Sequence, residues 1–166
     1  MNRRHFVATA TMAPGALALP LAGLAPSLAQ AHHGWSSFDL SRPLYLEGRA
    51  ERVAWRNPHA ELDLVLKPGL TLPADLAQRP VPAQTASVDG LALLRSAQLP
   101  RRSDARWHVE LAPLGRMQAW GVPRIADGDS VAMLGFTFAG EQGDAILRVE
   151  YLFLAGRTYG LRSSPA

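Results

Sequence analysis

Between residues 44 and 56 apolar and polar side chains alternate, with Leu44, Leu46, Gly48 and Ala50 in one phase and Val53 and Trp55 in the other. Period two over that length specifies a strand with one face on a core, and the phase change near Arg52 specifies a β-bulge, since an extra residue is what shifts side-chain phase. Asn57-Pro58 is a turn signal. Residues 59–66 then alternate again, with Leu62, Leu64 and Leu66 on one face, so the two runs form a hairpin. Residues 106–111 place Trp107, Val109 and Leu111 on one face and His108 and Glu110 on the other. Leu114, Met117 and Trp120 are three apart, as in a short amphipathic helix that Gly121 and Pro123 end. Asp127-Gly128-Asp129 turns into a run over 130–139, and residues 140–144 turn into another over 145–154. Five strands with a helix between the third and fourth predict a mainly β fold, a small five- to six-stranded OB-like β-barrel. Residues 157–162 are either the sixth strand or a tail. Trp35, Phe38, Tyr45, Trp55, Trp107 and Trp120 are expected to fill the barrel.

Between residues 67 and 105 the periodicity fades, and Pro68, Pro73, Pro80, Pro82 and Pro100 punctuate a stretch rich in alanine and small polar residues. It reads as a long, loop-rich, Pro-rich insertion. Compact domains seldom carry structureless loops beyond about 15 residues, so the segment is either mobile or holds a short helix around Gly90 to Ala97. A tolerated surface insertion is favoured over a functional lid.

The first 31 residues have a different character. Arg3-Arg4-His5-Phe6 precedes a stretch of Ala, Leu, Thr, Gly and Pro that carries no charge up to His32. This is the pattern of an export signal, and the paired arginines before Phe6 resemble the twin-arginine type, with the general secretory route as the alternative. Pro14, Pro20 and Pro26 interrupt the apolar stretch, which therefore lacks the roughly 20 unbroken residues of a membrane span. Ala29-Gln30-Ala31 is a small-x-small cleavage site, so processing makes His32 the N-terminus of a single domain, 32–166, in the periplasm or outside the cell. The chain has 17 basic and 14 acidic residues. Both Arg3 and Arg4 leave with the signal, and the remainder is nearly neutral, which argues against nucleic acid as a partner. There is no cysteine. Disulfides, thiolate metal sites and cysteine nucleophiles are excluded, and histidine is left as the softest strong ligand.

Several of these segments together resemble one family. The start His32-His33-Gly34-Trp35-Ser36-Ser37-Phe38-Asp39, the strand with Leu46-Glu47-Gly48, the turn Trp55-Arg56-Asn57-Pro58-His59 and the turn Asp127-Gly128-Asp129-Ser130-Val131 are similar to the domain of unknown function 6152 family of short exported bacterial proteins. The resemblance implies a periplasmic or secreted β-rich domain and no established activity. The insertion over 67–105 departs from the family's pattern.

Four histidines follow the signal: His32, His33, His59 and His108. A terminal amine with a pKa near 8, together with the His32 imidazole, chelates a metal in one ring, and a further imidazole completes a three-nitrogen site. Nitrogen ligands in tetragonal geometry favour copper. This arrangement resembles the histidine brace of copper proteins in its terminal histidine alone. His59, just after the proline turn, is the first candidate for the third nitrogen, with His33 as an alternative ligand and His108 as a fallback. Asp39 is either a carboxylate behind a liganded imidazole or a turn cap, and Asn57 is either a supporting amide or a turn-former. Met117 and Met133 sit in apolar periodic runs and read as core. Glu47, Glu51, Glu61, Asp63, Glu110 and Glu150 fall at mostly outward strand positions, where carboxylates keep a sheet face soluble. The patterns G-x-S-x-G, H-E-x-x-H, the P-loop and G-x-G-x-x-G do not occur, so no enzyme class gains support. Two readings remain: a metal-binding protein, and a non-enzymatic envelope accessory module that takes a small molecule, glycan or protein.

Overall fold

The computed structural model describes residues 34–166. The export segment, His32 and His33 lie outside the described residues. Among the described residues six strands are formed: β1 (Leu44–Ala54), β2 (Glu61–Leu66), β3 (Arg106–Glu110), β4 (Ser130–Phe136), β5 (Ile146–Leu154) and β6 (Arg157–Gly160). Two short helices, α1 (Gly90–Arg95) and α2 (Leu114–Ala119), join them. The sheet order is β3-β2-β1-β4-β5-β6, and β3 also pairs with β5 in parallel. That last pairing closes five strands into a barrel, with β6 added as a hairpin partner of β5. With α2 between β3 and β4, the arrangement is that of an OB-type barrel.

β1 makes the closure possible. Its first half pairs with β4, from Leu44 opposite Gly135 to Arg49 opposite Ser130, and its second half pairs with β2. Gly48 belongs to both ladders and sits where a Cβ would come within 2.0 Å of the Val65 carbonyl oxygen. The strand can bend across the barrel there because no side chain intervenes. The predicted bulge is present. Glu51 faces Asp63 and Ala54 faces Glu61, so Arg52 and Val53 together oppose Leu62. Arg52 takes a φ of 48°.

Alternation decides the interior. Leu44, Leu46, Ala50, Leu62, Leu64, Trp107, Val109, Met133, Leu147 and Val149 form the barrel core, with Met117 of α2 packed into the same cluster. Trp107, Met117 and Met133 are buried, in agreement with their phase. Trp55 and Trp120 pack at the margin of this core.

The insertion is a second packing layer. α1 falls where the sequence places a helix, and Asp89 caps it by accepting a hydrogen bond from the Ala92 amide at 3.0 Å. Leu76, Leu94 and Ala97 then cover Tyr45, Leu134, Tyr151 and Phe153 on the outer face of β1, β4 and β5. This corrects the expectation that Trp35, Phe38 and Tyr45 fill the barrel. Tyr45 lies outside the barrel under the insertion, and Phe38 and Trp35 belong to a third cluster with Phe136 and Ile146. β5 is consequently buried on both faces, which is why its sequence is almost continuously apolar.

Glu141 anchors the far end of the insertion. Its carboxylate accepts the Arg101 amide at 3.0 Å and the Arg102 amide at 3.1 Å, and it pairs with Arg42. Burial pushes its pKa up, but the two amides and the Arg42 guanidinium outweigh burial and hold it below the usual 4.5. A depressed folded-state pKa stabilises the protein above the unfolded value, and that stability is lost as pH falls through the folded one. Glu141→Gln is expected to cost about 2 kcal/mol at neutral pH. Chemical denaturation at neutral pH and below pH 4 should show the difference from wild type shrinking on acidification.

Candidate functional site

On the outer surface of β2, β3 and β5, phase and register assemble a polar row across the barrel. Leu62 and Leu64 point inward, so Glu61 and Asp63 point out. Trp107 and Val109 do the same for His108 and Glu110, and Leu147 and Val149 for Arg148. Antiparallel register sets His108 opposite Asp63 and Glu61 opposite Glu110, and parallel register sets Glu110 opposite Arg148.

The ring of His108 faces a carboxylate at each nitrogen. Nδ1 is 3.6 Å from Asp63 Oδ1, and Nε2 is 3.9 Å from Glu61 Oε2. These are ion-pair rather than hydrogen-bond distances. Asp63 also receives Arg52, re-aimed by the bulge, and Arg106 Nη1 at 3.4 Å. His59 is half-buried two positions before β2, and the adjoining Ala60 amide donates to the Ala112 carbonyl at 3.1 Å. Among the described residues no three His, Asp or Glu side chains converge on a single metal position.

Beside this histidine face lies a set of buried charges where the sequence predicts solvated carboxylates. Glu110 is 1% exposed and Arg148 7%, with Nη1 of Arg148 donating to Glu110 Oε2 at 3.3 Å. Burial lowers the Arg148 pKa, against the opposing pull of Glu110. Glu150 is fully buried on a bulge of its own, since Leu134 faces Tyr151 while Gly135 faces Val149. It accepts Arg162 Nε at 2.6 Å and Gln84 Nε2 at 3.0 Å, and burial nevertheless raises its pKa. Trp35 lies over both cations. Its ring centroid is 5.3 Å from the Arg148 guanidinium carbon and 4.2 Å from that of Arg162. It also meets Phe136 edge-on at 6.3 Å, while Phe38 stacks on Phe138 at 5.3 Å. The start of the described chain is thus fastened to this side of the barrel.

The other predicted site residues separate. Asp39 Oδ1 accepts the Ser41 amide at 3.0 Å and the Ser41 hydroxyl, and those bonds hold its pKa below the usual value. Asn57 is exposed in the β1–β2 turn, before a cis bond to Pro58. His32 and His33 lie outside the described residues. Sequence reasoning missed Glu110, Arg148 and Glu150 as a buried group. The signal that marks them is a charge inside an apolar run, as Arg148 and Glu150 stand within β5.

The fold and this surface define a class: a closed OB-type barrel with one outer face covered by the insertion and another that is charged and bears a histidine. Residues 21–70 match a family model described as a family of unknown function (DUF6152). The chain is similar to that family from before His32 to just beyond β2, a span that holds His32, His33 and His59 but not the turn at residues 127–131. No curated protein and no solved structure matches the chain. No helix among the described residues is long and apolar enough to cross a membrane.

Proposed function

We infer that the protein is exported, is cut after Ala31 and binds a metal ion, copper foremost, through the amine and imidazole of His32 with His59 as a further nitrogen ligand. One observation carries this reading: the described chain begins on the charged face that bears His108. Trp35 lies over Arg148, Arg148 bonds Glu110, and Glu110 faces Glu61 in the strand that starts just after His59. Two extended residues span about 7 Å, so His32 is tethered within a short reach of Gly34. His33 and His108 are the alternative ligands. The carboxylates at His108 are of the kind that orient a liganded imidazole.

The test is Cu(II) titration of the processed protein, its His32 terminus verified by mass spectrometry, followed by electron paramagnetic resonance. A one-to-one site with nitrogen hyperfine structure is expected. It should be lost when a glycine is added before His32 and weakened at least tenfold in His59→Ala. Weak, non-stoichiometric binding that ignores the added glycine overturns the reading.

A second reading, a metal-independent module for a small molecule, glycan or protein, draws on a groove of about 450 Å³ between the insertion and the β5–β6 hairpin. Tyr45, Glu47, Arg79, Phe153 and Thr158 line it. Ligand binding that survives chelation of all metal would favour it.

A further inference from the structure

Arg148 holds one edge of its guanidinium without use. The group is 7% exposed, its Nη1 donates to Glu110, and its Nε is buried with no acceptor among the described residues. No hydrogen bond to those residues runs from Nη2 either, so the side-on edge formed by Nε and Nη2 has no partner among the described residues. That edge is the fork that takes a carboxylate through two parallel N–H···O bonds. A buried donor left unmet costs about 1–3 kcal/mol, more when the group is charged, so such a donor calls for an explanation.

The surroundings suit a carboxylate. Trp35 supplies an apolar wall 5.3 Å from the guanidinium carbon, and Arg162 stands 4.2 Å from the same ring. Arg116 acts on Arg148 as a further like charge, while Glu110 and Glu61 act as the opposing ones. Arg162 is itself engaged by Glu150, and Arg116 Nη1 donates to the Leu161 carbonyl at 2.9 Å. Arg148 is therefore the one member of this group of three arginines whose Nε is both buried and unmet by the described residues.

We propose that the Nε–Nη2 edge of Arg148, beside Trp35, is a binding site for a carboxylate carried by a small acid or by the C-terminus of a peptide. This site is independent of the metal reading, because it uses no histidine. The carboxylate completes the guanidinium on the edge that Glu110 leaves open, and its carbon chain lies against the indole.

The Nε–H resonance of Arg148 in proton–nitrogen NMR of the protein as isolated tests this directly. Acetate should move it saturably, and chloride at equal ionic strength should not. An acetylated dipeptide with a free C-terminus that saturates at tenfold lower concentration than acetate, while its amide does nothing, assigns the peptide source. Tighter binding of acetate assigns the small acid. Arg148→Lys keeps a cation for Glu110 but removes the fork, and acetate affinity by calorimetry should drop at least tenfold in a variant that still unfolds cooperatively. Equal shifts with chloride, an adventitious ion only, overturn the proposal. So does a resonance that neither carboxylate moves, or a Lys variant that binds acetate as well as wild type.

Discussion

Gly48→Ala is expected to lose about 3 kcal/mol of unfolding free energy or to fail to fold cooperatively. The reason is geometric. The new Cβ would sit 2.0 Å from the Val65 carbonyl oxygen and 2.8 Å from its carbon, both backbone atoms that no rotamer change moves aside. Relief requires β1 and β2 to part at Gly48, where β1 is also held by Val131 of β4. Gly115 provides the control. It lies in α2, and an added methyl group there would meet nothing within 4 Å, so Gly115→Ala should stabilise by about 0.5–1 kcal/mol through helix propensity. Urea unfolding of both variants, followed by tryptophan fluorescence, measures the contrast. A Gly48→Ala protein within about 1 kcal/mol of wild type would mean that the two ladders do not share this residue.

Glu110→Ala is expected to cost about 3–5 kcal/mol, because it strands the Arg148 charge inside the protein. Glu110 is 1% exposed and is the only residue that accepts a hydrogen bond from Arg148 among the described residues. A surface pair would give a fraction of that. The double variant Glu110→Leu with Arg148→Met should recover most of the loss, since it removes both desolvated charges and keeps apolar volume. Denaturant midpoints of the two single variants and the double variant form the cycle. Additive losses would show that the two side chains act separately, contrary to the 3.3 Å contact.

Much of the barrel is legible in the order of residues alone. The phase change near Arg52, the hairpin through Asn57-Pro58 and the inward Leu62, Leu64, Trp107 and Val109 all follow from period two, which reports which face of a strand meets a core. Period two cannot report what covers the other face. Tyr45, expected inside the barrel, and Tyr151 are instead buried outside it under Leu76 and Leu94, from a segment whose own periodicity is weak. The same blindness hides Glu110 and Glu150, whose outward phase is correct while their exposure is not. The site is legible in parts: His59 and His108 stand out by residue type, but only the β2–β3 register places His108 between Asp63 and Glu61. Arg148 carries no signal beyond a charge within an apolar strand.

The double pairing of β1 bears on how the chain is made. One edge of this strand meets β2 within a short hairpin, whereas Leu44 meets Gly135 some 90 positions later. During synthesis the first strand therefore waits with an open edge until most of the polypeptide has emerged, the state in which sheets are most prone to join a neighbour's. Closing so long a loop makes barrel formation slow relative to the hairpin. Any factor that shields nascent chains would find its target in β1, and protection of its β4-facing amides from hydrogen exchange should be the last to develop on refolding.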